Sequence, residues 1–163
     1  MQNSKARFIS HSAVIAALYV VLTMLANLFG LSSNAIQVRF SEALTILPVF
    51  TTAAIPGLFV GCIISNLLTG AMMLDVIFGS IATLIGAYFT YLLRKRVVLA
   101  VLPPIISNTL IIPFVLKYVY CFDGSLPYFM LTVGIGEVIS CGVLGLILAC
   151  RLQKDNRIFK KGE

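Results

Sequence analysis

The sequence has few charges, one histidine and no recognisable catalytic or nucleotide-binding motif, and each shortage removes a class of protein. Charged residues make up 11% of the 163 residues against 60% hydrophobic ones, and the mean hydropathy of +1.03 lies outside the range of a soluble globular domain. Water is therefore not the main solvent. The single histidine, His11, stands just inside the first apolar run without a second ligand nearby, which argues against a histidine metal site and for a polar residue at a membrane edge. There is no GxxxxGK[ST] phosphate loop, so the chain is not expected to hydrolyse ATP unaided, and without HExxH or GxSxG an intramembrane enzyme has no support. No cofactor is implied. Cys62, Cys121, Cys141 and Cys150 form no CxxC pair, and three of them lie inside apolar runs, where cysteine reads as a small packing residue.

Linkers and low-complexity runs are also missing, so residues 1–163 are expected to form a single integral membrane domain. No convincing internal repeat is present, which weighs against a carrier built from two similar halves. The net charge of +6 might point to nucleic acid only if the basic residues formed a patch interleaved with aromatics; they cluster between apolar runs instead. No nucleic-acid partner is expected.

What is present is a series of apolar runs. A helix rises about 1.5 Å per residue and a membrane core is about 30 Å thick, so a span needs about 20 mostly apolar residues. Residues 9–29, 76–93, 97–117 and 127–150 meet that requirement. Lys5 and Arg7 before the first run resemble a signal peptide, but the run reaches about Phe29 without a small-residue cleavage site, so it is expected to remain as a span. Residues 41–70 are apolar but interrupted by Pro48 and Pro56-Gly57, giving two short segments, 41–55 and 56–70. These are two short helices or one re-entrant hairpin. The reading adopted is an all-α, polytopic bundle of six transmembrane helices.

Orientation follows from the enrichment of Lys and Arg in cytoplasmic loops. With the N-terminus inside, Lys5, Arg7, Arg94, Lys95, Arg96, Arg151, Lys154, Arg157, Lys160 and Lys161 are cytoplasmic and only Arg39 and Lys117 are outside. Ten against two predicts both termini in the cytoplasm. The basic tail after Arg151 is then placed to contact anionic lipid.

A charge at the bilayer centre costs about 2.5–3.5 kcal/mol or more, so polar residues within the spans are candidate functional groups. Glu137 lies near the middle of the last span with no basic residue in its own helix. Asn108 lies mid-span after Pro103-Pro104, and Asn66 toward the outer end of its segment; each offers donors and an acceptor, for ligand or for interhelical bonding. Asp75 begins the fourth span, as a helix cap or a ligand contact. Gln37, Arg39 and Glu42 cluster before the second segment, where Arg39 and Glu42 can pair and Ser41 can cap the helix. Gln37, Arg39, Glu42, Asn66 and Asp75 fall at the outer end, and Asn108 and Glu137 near mid-depth. That asymmetry predicts an outward-opening polar pocket closed below by Leu, Ile, Val and Phe. A channel would instead carry polar residues along its length.

Small residues repeat at helical spacing in Ala13-x-x-x-Ala17, Ser12-x-x-x-Ala16 and Gly57-x-x-x-Gly61, which lets helices approach closely in lipid. The first of these lies in the cytoplasmic half of its span, where an energising partner would dock. The residues alone thus describe a subunit that binds a solute and relies on others for energy.

The run Gln37-Val38-Arg39-Phe40-Ser41-Glu42-Ala43-Leu44, followed by Pro56-Gly57-Leu58-Phe59-Val60-Gly61-Cys62, resembles the QueT family, the queuosine-precursor substrate-binding (S) components of energy-coupling factor (ECF) transporters. Asp75-x-x-x-Gly79-Ser80 and Pro103-Pro104-x-x-x-Asn108 add to the likeness, which covers nearly the whole chain. The resemblance implies a multi-pass subunit in a bacterial cytoplasmic membrane. It would capture a deazaguanine, such as aminomethyl-deazaguanine or a queuine-like base, and dock on one transmembrane coupling protein and two ATPases. The family's first helix docks through an AxxxA face, which Ala13 and Ala17 match. In such a site Glu42 or Glu137 would accept the adjacent N–H and amino groups of the base. The other carboxylate or Asp75 would meet an aminomethyl cation. Gln37, Asn66 or Asn108 would meet the ring carbonyl, Arg39 would hold a carboxylate or close the site, and Tyr128 is a candidate to stack. The competing expectations are an S component for another vitamin, a stand-alone carrier that titrates Glu137, and a structural membrane protein.

Overall fold

The computed structural model describes residues 2–31 and 37–154. Arg157, Lys160 and Lys161 of the charge count lie outside the described residues. The elements are α1 (Gln2–Leu28), a 3-10 segment (Phe40–Val49), α2 (Ala54–Leu68), α3 (Met73–Leu92), a 3-10 turn (Leu99–Val101) leading into α4 (Leu102–Tyr118), α5 (Leu126–Glu137), a π-helical segment (Val138–Leu144) and α6 (Gly145–Lys154). Among the described residues there is no strand. Four stretches are long and apolar enough to cross a membrane: Ser4–Leu28, Met73–Leu92, Leu99–Tyr118 and the continuous run Leu126–Lys154. They coincide with the four spans expected from hydropathy.

The disputed stretch resolves into two short elements, which brings the helical segments to six. The 3-10 segment rises about 20 Å and α2 about 22 Å, both less than a membrane core. Their division falls at residues 50–53 and not at Pro56. Pro56 is the third residue of α2, where a backbone N–H has no intrahelical partner to lose. The six segments alternate in direction, so Gln2 and Lys154 lie at one end of the bundle. The α2–α3 and α4–α5 connections lie at the other.

Polarity is inverted relative to a protein dissolved in water. Val14, Leu18 and Val21 of α1, Ile77 and Phe78 of α3, and Ile106, Leu110 and Phe114 of α4 are exposed, while Thr45, Ser65, Asn66, Ser80, Thr83 and Asn108 are buried. Lipid is the solvent that makes such a surface favourable. The chain is accordingly a multi-pass membrane protein.

The centre is the 3-10 segment, with Ser41, Glu42 and residues 44–48 buried among α1, α3, α6 and the π-helical segment. Beside it α1 and α2 run parallel in close contact. A Cβ on Gly57 would stand 2.7 Å from the Ser12 carbonyl oxygen, and one on Gly61 2.8 Å from Tyr19 Cβ. Ser12 and Ala16 are thus spent inside the bundle, whereas Ala13 and Ala17 face outward. Toward the end that carries Gln2 and Lys154, Ile46, Ala100, Val101 and Ala149 form an apolar floor with Val49, Phe50 and Val97.

Candidate functional site

Two cavities adjoin within the bundle. The larger, about 620 Å³, opens at the end carrying the α2–α3 and α4–α5 connections; its lining includes Gln37, Arg39, Asn66, Asp75, Tyr120, Asp123 and Tyr128. The smaller, about 20 Å³, lies deeper and is lined by Gln37, Arg39, Glu42, Cys62, Asn108 and Glu137 among others. Gln37, Arg39 and Ile112 belong to both and form the partition. Every one of the seven residues singled out by sequence lines one cavity or both.

The deeper pocket is built around two carboxylates. Glu42, on the 3-10 segment, is 3% exposed; its Oε1 accepts a hydrogen bond from the Tyr19 hydroxyl of α1. Glu137 ends α5, and its Oε1 accepts from Asn108 Nδ2 of α4 at 3.0 Å. Cys141 lies between them, its thiol donating to Glu137 Oε2 at 3.1 Å and standing 3.9 Å from Glu42 Oε2. Cys141 belongs to the π-helical segment. It packs against the 3-10 segment with Ser140 and Cys141, each 1% exposed, at the contact. Ser140 Oγ accepts from the Arg39 backbone N–H at 3.2 Å and so fixes where the 3-10 segment begins. Gly136 permits the same approach, because a Cβ there would strike the Gln37 carbonyl oxygen.

Glu42, Glu137 and Cys141 offer donor atoms within 4.8 Å of one another, the closest approach to a metal-binding set among the described residues. Tyr19, Asn108 and the Cys141 thiol already donate hydrogens to these carboxylate oxygens. These bonds serve the protein's own carboxylate oxygens, and a metal ion there would require the donors to turn away.

At the mouth of the larger cavity, Asp75 Oδ2 accepts from the Tyr120 hydroxyl at 2.8 Å, and the same hydroxyl accepts the Met72 amide at 3.1 Å. Partial burial raises the Tyr120 pKa above its ordinary value; the bond accepted from the Met72 amide opposes that shift and the bond given to Asp75 adds to it. Asn66, 1% exposed, points Nδ2 at Cys62 Sγ 3.6 Å away.

Two local expectations are corrected. Ser41 is not a helix cap: Arg39 holds the cap position, and Ser41 Oγ is bonded to Thr23 Oγ1 of α1 at 2.8 Å. Asp75 is not a cap either, since Met72 holds that position and the carboxylate serves Tyr120. Cys141, read as an apolar packer, is a hydrogen-bonding member of the site. Sequence reasoning also missed Tyr19, Tyr120 and Asp123. Asp123 was findable, because few acidic residues exist to be placed. A buried tyrosine carries no comparable signal.

A family model described as QueT transporter matches residues 9–154. The queuosine precursor transporter QueT of Lactococcus lactis subsp. cremoris (strain MG1363) is 41% identical over 96 residues, covering 59% of this chain and 56% of that protein. The match thus spans little more than half of the relative's length. No solved structure matches the chain.

Proposed function

The chain belongs to the QueT transporter family, and from that premise we propose that it is the substrate-binding subunit of an importer for a cationic deazaguanine precursor of queuosine. One observation carries the reading. The chain is strongly basic, yet all four acidic residues among the described ones, Glu42, Asp75, Asp123 and Glu137, line the two cavities. Of the described basic residues only Arg39 joins them. Charge gathered in this way within a membrane favours a positively charged ligand with several donors. An aminomethyl-deazaguanine or a queuine-like base has that character, with a ring N–H, an amino group and an ammonium.

In this proposal Gln37, Arg39, Asn66 and Asp75 meet the ligand in the larger cavity, and Glu42, Asn108 and Glu137 complete the site beneath. The subunit sits in a bacterial cytoplasmic membrane as a single domain. Lys5, Arg7, residues 94–96, Arg151 and Lys154 share one end of the bundle, and the positive-inside rule places that end, with both termini, in the cytoplasm. Energy comes from an ECF-type module of one transmembrane coupling protein and two ATPases, docked through the outward-facing Ala13 and Ala17. A second reading, a carrier that moves protons through Glu137, draws on the buried Glu42–Cys141–Glu137 network.

The test is equilibrium binding of aminomethyl-deazaguanine to the detergent-purified chain, with its neutral nitrile counterpart, guanine and riboflavin as competitors and Glu137→Gln in parallel. Tight binding that the neutral compounds do not match, weakened by the substitution, supports the proposal. A folded protein that binds none of the deazaguanines, or that transports alone under a pH gradient, overturns it.

A further inference from the structure

Two connections border the mouth of the larger cavity. Thr69, Gly70 and Ala71 line it from the α2–α3 side, and Tyr120, Phe122 and Asp123 from the α4–α5 side. One hydroxyl joins them. Tyr120 Oη donates to Asp75 Oδ2 at 2.8 Å and accepts from the Met72 backbone N–H at 3.1 Å, linking positions 45 and 48 residues apart. Met72 holds the cap position of α3 without any side-chain capping bond, so Tyr120 supplies a partner that the local sequence does not.

The α4–α5 connection is shaped to present this group. Cys121 has φ 53°, a left-handed conformation that an L-residue with a side chain adopts at a cost. The turn is held by backbone bonds from Tyr120 N–H to the Val115 carbonyl at 3.1 Å and from Phe122 N–H to the Leu116 carbonyl at 3.2 Å. It sets the Tyr120 and Phe122 rings together with their centroids 5.5 Å apart. Tyr120 engages Oδ2 of Asp75, while Oδ1 lies toward Gly79, which lines the deeper pocket.

We propose that Tyr120 is both the latch that fastens the mouth of the binding cavity and the residue that positions Asp75 for the ligand. The latch follows from the contacts alone; its effect on substrate rests on the cavity being the substrate site, as proposed above. With the hydroxyl bonded, the two connections are tied across the opening, and a ligand enters or leaves when Tyr120 releases Asp75 and Met72. Asp75 is held with one oxygen fixed to the rim and the other directed inward.

The experiment compares the full chain with Tyr120→Phe, which keeps the ring and removes only the hydroxyl, and with Tyr118→Phe, a change on the exposed surface of α4. Hydrogen exchange of the ligand-free protein is read at Met72, and dissociation of aminomethyl-deazaguanine is read by stopped flow. Tyr120→Phe is expected to speed exchange at Met72 by about two- to tenfold, the scale of a lost neutral hydrogen bond, and ligand dissociation by about tenfold or more, the scale of a lost bond to a carboxylate. Tyr118→Phe is expected to change neither. Unaltered Met72 exchange in Tyr120→Phe overturns the latch whatever the ligand. Faster exchange with unaltered dissociation overturns its role in gating. A wild-type protein that binds no deazaguanine, yet shows the exchange difference, keeps the latch and removes the substrate reading.

Discussion

Tyr19→Phe removes a single hydroxyl and leaves the buried Glu42 Oε1 without its protein donor. A hydrogen bond to a charged group contributes about 1.5–3 kcal/mol, and a buried acceptor left unsatisfied costs at the upper end of that range. For a chain of this length that corresponds to a fall in melting temperature of roughly 3–12 °C. The assay is thermal unfolding of the purified protein in detergent, run as a cycle with Glu42→Gln. The amide keeps a carbonyl oxygen for Tyr19, so Glu42→Gln alone is expected to cost less than Tyr19→Phe. In the Glu42→Gln background the loss of the hydroxyl should shrink to about 0.5–1.5 kcal/mol, the value for a neutral pair. An equal cost in both backgrounds would show that the hydroxyl does not serve the carboxylate, and the account of the deeper pocket would be wrong.

Gly136→Ala is expected to destabilise the protein by about 1–3 kcal/mol, because its Cβ collides with the Gln37 carbonyl oxygen and neither backbone can yield cheaply; the same melting assay checks it. Ala13→Leu with Ala17→Leu should leave ligand binding unchanged, since both residues face outward, and abolish co-purification with ATPase subunits. Cys121 is exposed in the α4–α5 connection, so a membrane-impermeant maleimide applied to intact cells should label the chain and fail to label Cys121→Ser. Labelling that survives in Cys121→Ser refutes the orientation.

The spans were legible because hydrocarbon imposes a length on them: Met73–Leu92 and Leu99–Tyr118 need only run apolar for about 20 residues to declare themselves. The seven polar residues were legible for the complementary reason, since the bilayer makes each costly and the folded chain gathers them into adjoining cavities. What sequence could not show is which partner each one meets. Ser41 and Asp75 have the local look of helix caps, but their partners Thr23 and Tyr120 lie 18 and 45 residues away. Cys141 was hidden because its partners Thr45 and Glu42 lie 96 and 99 residues away. Ser140 and Cys141 are both buried where the π-helical segment meets the 3-10 segment, a contact between elements distant in sequence that helical periodicity alone does not show. The division of residues 41–70 was misplaced at Pro56 because a proline early in a helix reads the same in sequence as one that breaks it.

The two cavity volumes bear on how a base would reach the deeper carboxylates. A space of about 20 Å³ holds about one water, so a deazaguanine ring does not fit beside Glu42 and Glu137 while Gln37, Arg39 and Ile112 close the partition. The larger cavity does have room. A ligand held first by Asp75 and Asn66 can engage Glu137 only after Arg39 and Gln37 move aside, which makes binding two successive events. Stopped-flow binding should therefore show a phase whose rate rises with ligand concentration, followed by one that saturates. Glu137→Gln should remove the second phase and spare the first, whereas Asp75→Asn should slow or abolish the first and with it everything after. A single phase at all concentrations, lost equally in both variants, would mean that the carboxylates and Asp75 engage the ligand together and that the partition is not a barrier.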